Sequence, residues 1–254
     1  MKVVILAGGQ GTRFREETDI KPKPMVEIGN KPILMHLIQY FAHFGHTDFI
    51  ICGGYKVEYI NDYFANYLKS SVDPLLSFEK LNDFEFLNLR NPEFKVSILD
   101  TGLDTKTAER ILRIKDFLNG EPFLCTYGDG LINIDINNLI NFHNKKNQIA
   151  TVTAVQPKGR FGVLDIENDL VTKFDEKPIS NFWINAGFFV FENSIFGYLD
   201  KNQMLEEQPL KNLTRDSQLN AIKHQDFWQP MDTYRDWKIL EDLWNSEQAP
   251  WKVW

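Results

Sequence analysis

The chain has 254 residues, which suits one large domain or two small ones, and 43% of them are hydrophobic, enough for a sizeable core. A formal net charge of −7 argues against a nucleic-acid coat and against attachment to an anionic membrane surface. No segment approaches the ~20 apolar residues of a membrane span, and Cys52 and Cys125, each ending an apolar run without zinc-like spacing, fit free thiols in a reducing cytosol.

The chain opens on Lys2-Val3-Val4-Ile5-Leu6-Ala7, which predicts a buried strand stopped by glycine. Gly8-Gly9-Gln10-Gly11-Thr12-Arg13 follows. Glycines let the backbone take positive φ and approach a ligand. Successive exposed N–H groups make a concave anion site, to which Arg13 adds a fixed charge. Lys21-Pro22-Lys23-Pro24-Met25 comes next, and its prolines predict an extended segment rather than a helix start. The minimal implication is a polyphosphate site. It is not a Walker A loop, because no Gly-Lys-Ser/Thr follows, and Phe14 replaces the third glycine of a dinucleotide fingerprint.

A helical stripe runs from Pro32 to Phe44, then a strand over Phe49–Cys52, then a helix from Val57 to Leu68. This β-α-β-α opening implies parallel strands with right-handed crossovers. Residues 70–95 break the rhythm and read as an irregular or hairpin insertion. Their apolar content serves either a subunit contact or a satellite core. Val96–Leu99 is a short strand, and a helix is expected from about Thr105 to Leu118. Pro122–Tyr127 is a buried strand ending in Gly128-Asp129-Gly130, with a helix over about Ile136–Lys145 and a β-rich run over Ile149–Val155. Gly162–Ile166 and Leu170–Phe174 flank an Asn168-Asp169 turn, a hairpin signal closed by Glu176-Lys177-Pro178. Trp183–Phe191 is a strand interrupted by Asn185-Ala186-Gly187, and the remainder reads as helices around short links. No linker stands out, so residues 1–254 are expected to form one domain.

Asp129 stands between glycines at the C-terminal end of a strand, the edge where open α/β sheets bind ligands. A carboxylate there suits Mg²⁺, which takes oxygen ligands and phosphates; a plain turn is the alternative. Asp232 reads first as an N-cap of the last helix, since it precedes an apolar-periodic run. Lys177 is a second phosphate candidate or solvated surface. Asn185 beside Gly187 suits a sugar hydroxyl or marks a β-bulge. No nucleophile is recommended, and His36 and His43 lie on the apolar face of one helix, where packing is the expectation. Many anion-binding groups and few acid/base groups point to phosphoryl-type transfer, which needs positioning and charge neutralisation.

The segments LAGGQGTR, KPKPMVEIGNKPI, TYGDG, GRFGVLDI, EKP, NAGFFV and FWQPMDT, in this order and over nearly the whole length, resemble the sugar nucleotidyltransferases. The GDG and FWQPMDT segments pull toward the cytidylyltransferase branch over the thymidylyl and uridylyl ones. The resemblance implies a Rossmann-like three-layer α/β/α sandwich with a mixed central sheet. It implies in-line attack of a sugar 1-phosphate on the α-phosphorus of CTP, giving CDP-glucose for deoxysugar and surface-polysaccharide synthesis. By resemblance the loop Gly8 to Arg13, with Gly8, Gly9, Gly11, Thr12 and Arg13, holds the triphosphate, Leu6 and Ala7 meet the nucleotide, Arg13 and Lys23 stabilise charge, and Lys21 supports them. Thr107, Arg110 and Asp129 also meet the nucleotide. Tyr127, Gly128, Glu176, Lys177, Asn185 and Gly187 meet the sugar phosphate, and Asp129 with Asp232 holds Mg²⁺. A cytoplasmic homo-oligomer, a hexamer, is implied too. One segment departs: where the family has Thr-Gly-Gly-Arg over the base, this chain has Thr107-Ala108-Glu109-Arg110. Glu109 there accepts from the cytosine amine, crowds the site, or faces solvent.

Overall fold

The structure is a computed structural model describing residues 1–254 except 12, 13, 15–17, 69–74, 82, 83, 92 and 160; Leu68 and Phe84 are described by backbone alone. The opening run forms β1 (Lys2–Leu6), and a small hairpin, β2 (Glu27–Ile28) and β3 (Lys31–Pro32), leads into α1 (Ile33–His43). Pro32 sits just before the helix with φ −56° and ψ 146°, so the chain turns directly from hairpin to helix. Then come β4 (Asp48–Gly53), α2 (Val57–Leu68), β5 (Leu75–Leu81), β6 (Phe84–Arg90) and β7 (Lys95–Asp100). The helix expected over 105–118 is shorter: α3 (Thr107–Arg113) gives way to a 3₁₀ turn over Lys115–Leu118. After it run β8 (Phe123–Tyr127), β9 (Gly130–Ile132), α4 (Ile136–Lys146) and β10 (Ala150–Val155). The hairpin β11 (Val163–Glu167) and β12 (Leu170–Asp175) precedes β13 (Ile184–Phe191). The last part is not only helical. Between α5 (Gln208–Arg215) and α6 (Tyr234–Asn245) lie two strands, β14 (Leu219–His224) and β15 (Trp228–Pro230).

Nine strands form one mixed sheet in the order β14-β10-β13-β8-β1-β4-β7-β6-β5. The central four, β8, β1, β4 and β7, are parallel. Their alternate side chains enter two different cores. Val3, Ile5, Phe49 and Ile51 face a core closed by α1, α2, α4 and α6, and Val4, Leu6, Ile50 and Cys52 face one closed by α3 and α5. The result is the expected three-layer sandwich, and it explains why these strands read as unbroken apolar runs. Both cysteines are buried and free.

Residues 75–90 are regular, not irregular. β5 and β6 pair as a hairpin and extend the sheet at its edge. Leu87 and Leu89 join the core closed by α1, α2, α4 and α6 rather than a satellite, and Leu75 and Phe78 are exposed. The β13 strand continues through Asn185-Ala186-Gly187, and the register against β10 shifts between Val152 and Ala154. The bulge reading is therefore correct. No helix among the described residues is long and apolar enough to cross a membrane.

The chain leaves β1 toward β4 on one side and returns to β8 on the other. This reversal is a topological switch point, and a crevice opens beyond the carboxyl ends of the two strands.

Candidate active site

Glycine leads out of both switch-point strands. Gly128 N–H donates to the Leu6 carbonyl at 3.0 Å, prolonging the β1–β8 ladder, and Asp129 follows in the turn before β9. Short strand β9 pairs antiparallel with β15, Pro230 opposite Gly130, and Met231 N–H donates to the Asp129 carbonyl at 2.8 Å. This pairing carries Asp232 back to Asp129 from the far end of the sequence.

Asp232 is not the helix cap. Thr233 caps α6 in a capping box with Asp236, which also receives the Asp232 backbone N–H at 3.3 Å. The cap thus leaves the Asp232 carboxylate facing Lys23 and fixes the backbone beneath it. Thr233-Tyr234-Arg235-Asp236 carried that signal in the sequence, because an acid three residues after a threonine completes a capping box.

Lys23 opens a 3₁₀ turn (Lys23–Met25), contrary to the extended reading of its segment. Pro22 is extended, and Pro24 falls within the first turn, where its missing N–H costs nothing. The turn aims Lys23 between the two acids: Nζ donates to Asp129 Oδ2 at 2.8 Å and to Asp232 Oδ1 at 2.6 Å. Burial lowers the lysine pKa, but the charge of Asp129, the hydrogen bonds to both carboxylates and the charge of Asp232 outweigh it, so the net shift is upward. Lys23 is therefore a fixed cation.

These groups line a cavity of about 800 Å³. From the first loop it takes Leu6, Ala7, Gly8, Gly9 and Gly11, and it takes Lys23, Asp129 and Asp232. Thr107, Arg110, Tyr127, Gly128 and Asn185 complete the expected residues present. Thr12 and Arg13 lie outside the described residues.

Several expected contacts have a different physical form. Arg110 is 3% exposed, and its guanidinium donates to Gly53 O at 2.7 Å, Thr101 Oγ1 at 2.6 Å and Gly8 O at 3.0 Å. It ties the glycine loop to the ends of β4 and β7. Gly8 is needed for this clamp: a Cβ there would stand 2.2 Å from Arg110 Cζ. Gly187 does not line the cavity. With φ +84° and its missing Cβ 2.3 Å from Tyr127 Cδ2, it leaves room for the tyrosine ring against β13. Glu176 lines neither cavity and pairs with Lys177 at 2.9 Å. Lys177 faces a second cavity of about 1160 Å³, which shares Trp228, Pro230 and Asp232 with the first. Glu109 is held outside the first cavity by Arg113, at 2.8 Å, and by the Asn202 N–H, also at 2.8 Å.

Glu206 is among the lining residues that were not anticipated. It accepts from Thr107 Oγ1 at 2.9 Å and from the Tyr127 hydroxyl. Burial, then the Glu206 charge, pushes the Tyr127 pKa far up, so the phenol keeps its proton. Leu205-Glu206-Glu207 reads as ordinary surface in sequence, and nothing local marks it.

No group of three or more His, Cys, Asp or Glu able to hold a metal occurs among the described residues. Two carboxylates with oxygen donors alone fit Mg²⁺, whose shell is usually completed by water and substrate phosphates.

A family profile described as nucleotidyl transferase matches residues 2–238. The chain is 46% identical over 257 aligned residues, with full coverage of both, to a glucose-1-phosphate cytidylyltransferase of Salmonella typhi. It is 43% identical, again end to end, to a probable glucose-1-phosphate cytidylyltransferase of Bacillus subtilis. In fold it is similar to the crystal structure of HddC from Yersinia pseudotuberculosis, with a TM-score of 0.71 at 23% identity over 96% of this chain and 99% of that one. Its sheet and helices are those of the nucleotide-diphospho-sugar transferase fold. Profile and full-length likeness together make the chain a member of the nucleotidyl transferase family, and an enzyme.

Proposed function

We propose that the protein transfers a cytidylyl group from CTP to α-D-glucose 1-phosphate, giving CDP-glucose and pyrophosphate. The observation that carries this reading is the Lys23–Asp129–Asp232 cluster facing the glycine loop across one cavity. The full-length relatives support CTP and glucose 1-phosphate as the substrates.

The chemistry needs three things from the chain. The backbone amides of the first glycine loop receive the triphosphate, and Arg110 holds that loop through Gly8. Lys23 sets a fixed positive charge where negative charge gathers as the α-phosphorus changes partners, with Arg13 supplying a second. Lys177 meets the sugar phosphate from the adjoining cavity, and Asn185 and Tyr127 bear on the sugar. A sugar-phosphate oxygen then bonds to the α-phosphorus as the bond to the β-phosphate oxygen breaks, in line. Mg²⁺ held by Asp129 and Asp232 would neutralise phosphate charge and orient the oxygens.

The unit is one domain, acting in the cytoplasm as a homo-oligomer, a hexamer. Support for self-association comes from β11–β12. Val163 (52%), Ile166 (61%), Leu170 (68%) and Phe174 (62%) stand exposed on a two-stranded ribbon, an element only marginally stable in water unless covered. A second copy of the chain is the cover.

The test is pyrophosphate release over a panel of nucleoside triphosphates and sugar 1-phosphates. CTP with glucose 1-phosphate is expected to be fastest. No release with CTP and any sugar 1-phosphate would refute the assignment.

A further inference from the structure

We infer that Glu206 selects the base, accepting a hydrogen bond from the exocyclic amine of cytosine. This rests on the cytidylyltransferase reading above. Three carboxylates line the first cavity among the described residues: Asp129, Asp232 and Glu206. The first two share Lys23 and belong to the phosphate end. Glu206 is held differently. Its two oxygens take one hydroxyl each, from Thr107 at the start of α3 and from Tyr127 at the end of β8. No cation among the described residues forms an ion pair with it. A carboxylate oxygen has two lone pairs, so each keeps acceptor capacity.

Without a cation between them a carboxylate and a phosphate repel, so the ligand of Glu206 is an uncharged part of the nucleotide that bears an N–H or O–H donor. Met204, Leu6 and Ala7 line the same cavity. Apolar walls of this kind fit the faces of a planar base better than a polyhydroxylated sugar. Among pyrimidines, cytosine presents an amine where uracil and thymine present a carbonyl oxygen. A carboxylate there attracts the first and repels the carbonyl oxygen of the others. Glu109, the acid that stands in the family's glycine position, is bound to Arg113 and Asn202 away from the cavity.

The experiment compares CTP with UTP, each with glucose 1-phosphate, in the wild type and in Glu206→Gln. Glutamine keeps the size and one acceptor and presents an amide donor to the base. The CTP-to-UTP ratio of kcat/KM is expected to fall about tenfold or more, with the KM for glucose 1-phosphate unchanged. An unchanged ratio overturns the inference, as does a loss confined to the KM for the sugar phosphate, which would assign Glu206 to hydroxyls. If Glu206→Gln does not fold, Thr107→Val, which frees the carboxylate without removing it, is expected to lower the ratio about threefold, and no change overturns the inference. A wild type inactive with CTP refutes the functional reading instead. Calorimetric affinities for CMP and UMP in wild type and variant then test Glu206 by themselves, and equal preference in the two proteins overturns it.

Discussion

Lys23 Nζ lies 2.6 Å from Asp232 Oδ1, although the two residues come from opposite ends of the chain. The contact exists because three-residue strands β9 and β15 pair and because Thr233, not Asp232, caps α6. Lys23→Ala is expected to lower kcat by about 10²–10³, the cost of removing one preorganised charge from a transition state. The fold should persist, since both acids gain access to water. Steady-state kinetics with a melting curve check this.

The lysine–acid cluster also has a signature at high pH. Its folded pKa lies above the unfolded 10.5, so its stabilising effect is complete below that value and is lost as pH rises through the folded pKa. Urea midpoints of the wild type should fall more steeply above pH ~10.5 than those of Lys23→Met.

Gly8→Ala is expected to push the Arg110 guanidinium off the loop, because the new Cβ would stand 2.2 Å from Cζ. Overpacking of this sort costs about 1–3 kcal/mol, and the KM for CTP should rise with it. Arg110→Ala breaks the same clamp, so the double variant should be much less than additive. Additive losses in a double-mutant cycle would show that the two do not act together.

The fold was largely legible from β1 to β8, because buried parallel strands are continuous apolar runs and glycine ends them locally. The site was legible where a motif holds its residues together, as in Gly8–Gly11, Lys23 and Gly128–Asp129. It was not legible where placement depends on distant pairing. β14 is a short strand with charged and polar residues at the edge of the sheet, and β15 has three residues, so neither has a periodic signature. Glu206 acquires its role only from Thr107 and Tyr127, each roughly eighty or more positions away in the chain. Arg110 was legible through the Thr107–Arg110 segment; its bonds to the carbonyls of Gly53, Gly8 and Leu103, made while it lines the cavity, were not.

Glu109→Ala should leave the CTP-to-UTP preference within about twofold and cost about 1 kcal/mol or less, since it removes a helical ion pair and one backbone acceptor at the surface. Competition kinetics with both nucleotides and a thermal melt are sufficient. A large change in preference would move base selection from Glu206 to Glu109.

His36 gives the protein an acid limit. It is fully buried, and Trp251 Nε1–H donates to its Nδ1 at 3.2 Å while its Nε2 faces the Ile28 carbonyl at 3.0 Å, which fixes the neutral ring. Burial pulls its pKa from 6.5 to about 4. Because the folded value is the lower, stability is full above pH 6.5 and falls as pH drops toward 4, by on the order of 3 kcal/mol. The wild type should lose stability over that window more steeply than His36→Gln in urea titrations, and parallel curves would contradict it.

Phe174→Asp with Val171→Asp on the β11–β12 ribbon should shift sedimentation toward monomer. An unchanged assembly would place the interface elsewhere.

The most direct measurement is the turnover of Asp129→Asn with CTP, glucose 1-phosphate and Mg²⁺, on protein whose melting temperature matches the wild type. A loss of about 10²-fold or more is predicted, with a weakened response to added Mg²⁺. Turnover within about threefold of wild type, at the same Mg²⁺ dependence, would contradict the assignment of these carboxylates to the metal and the phosphates.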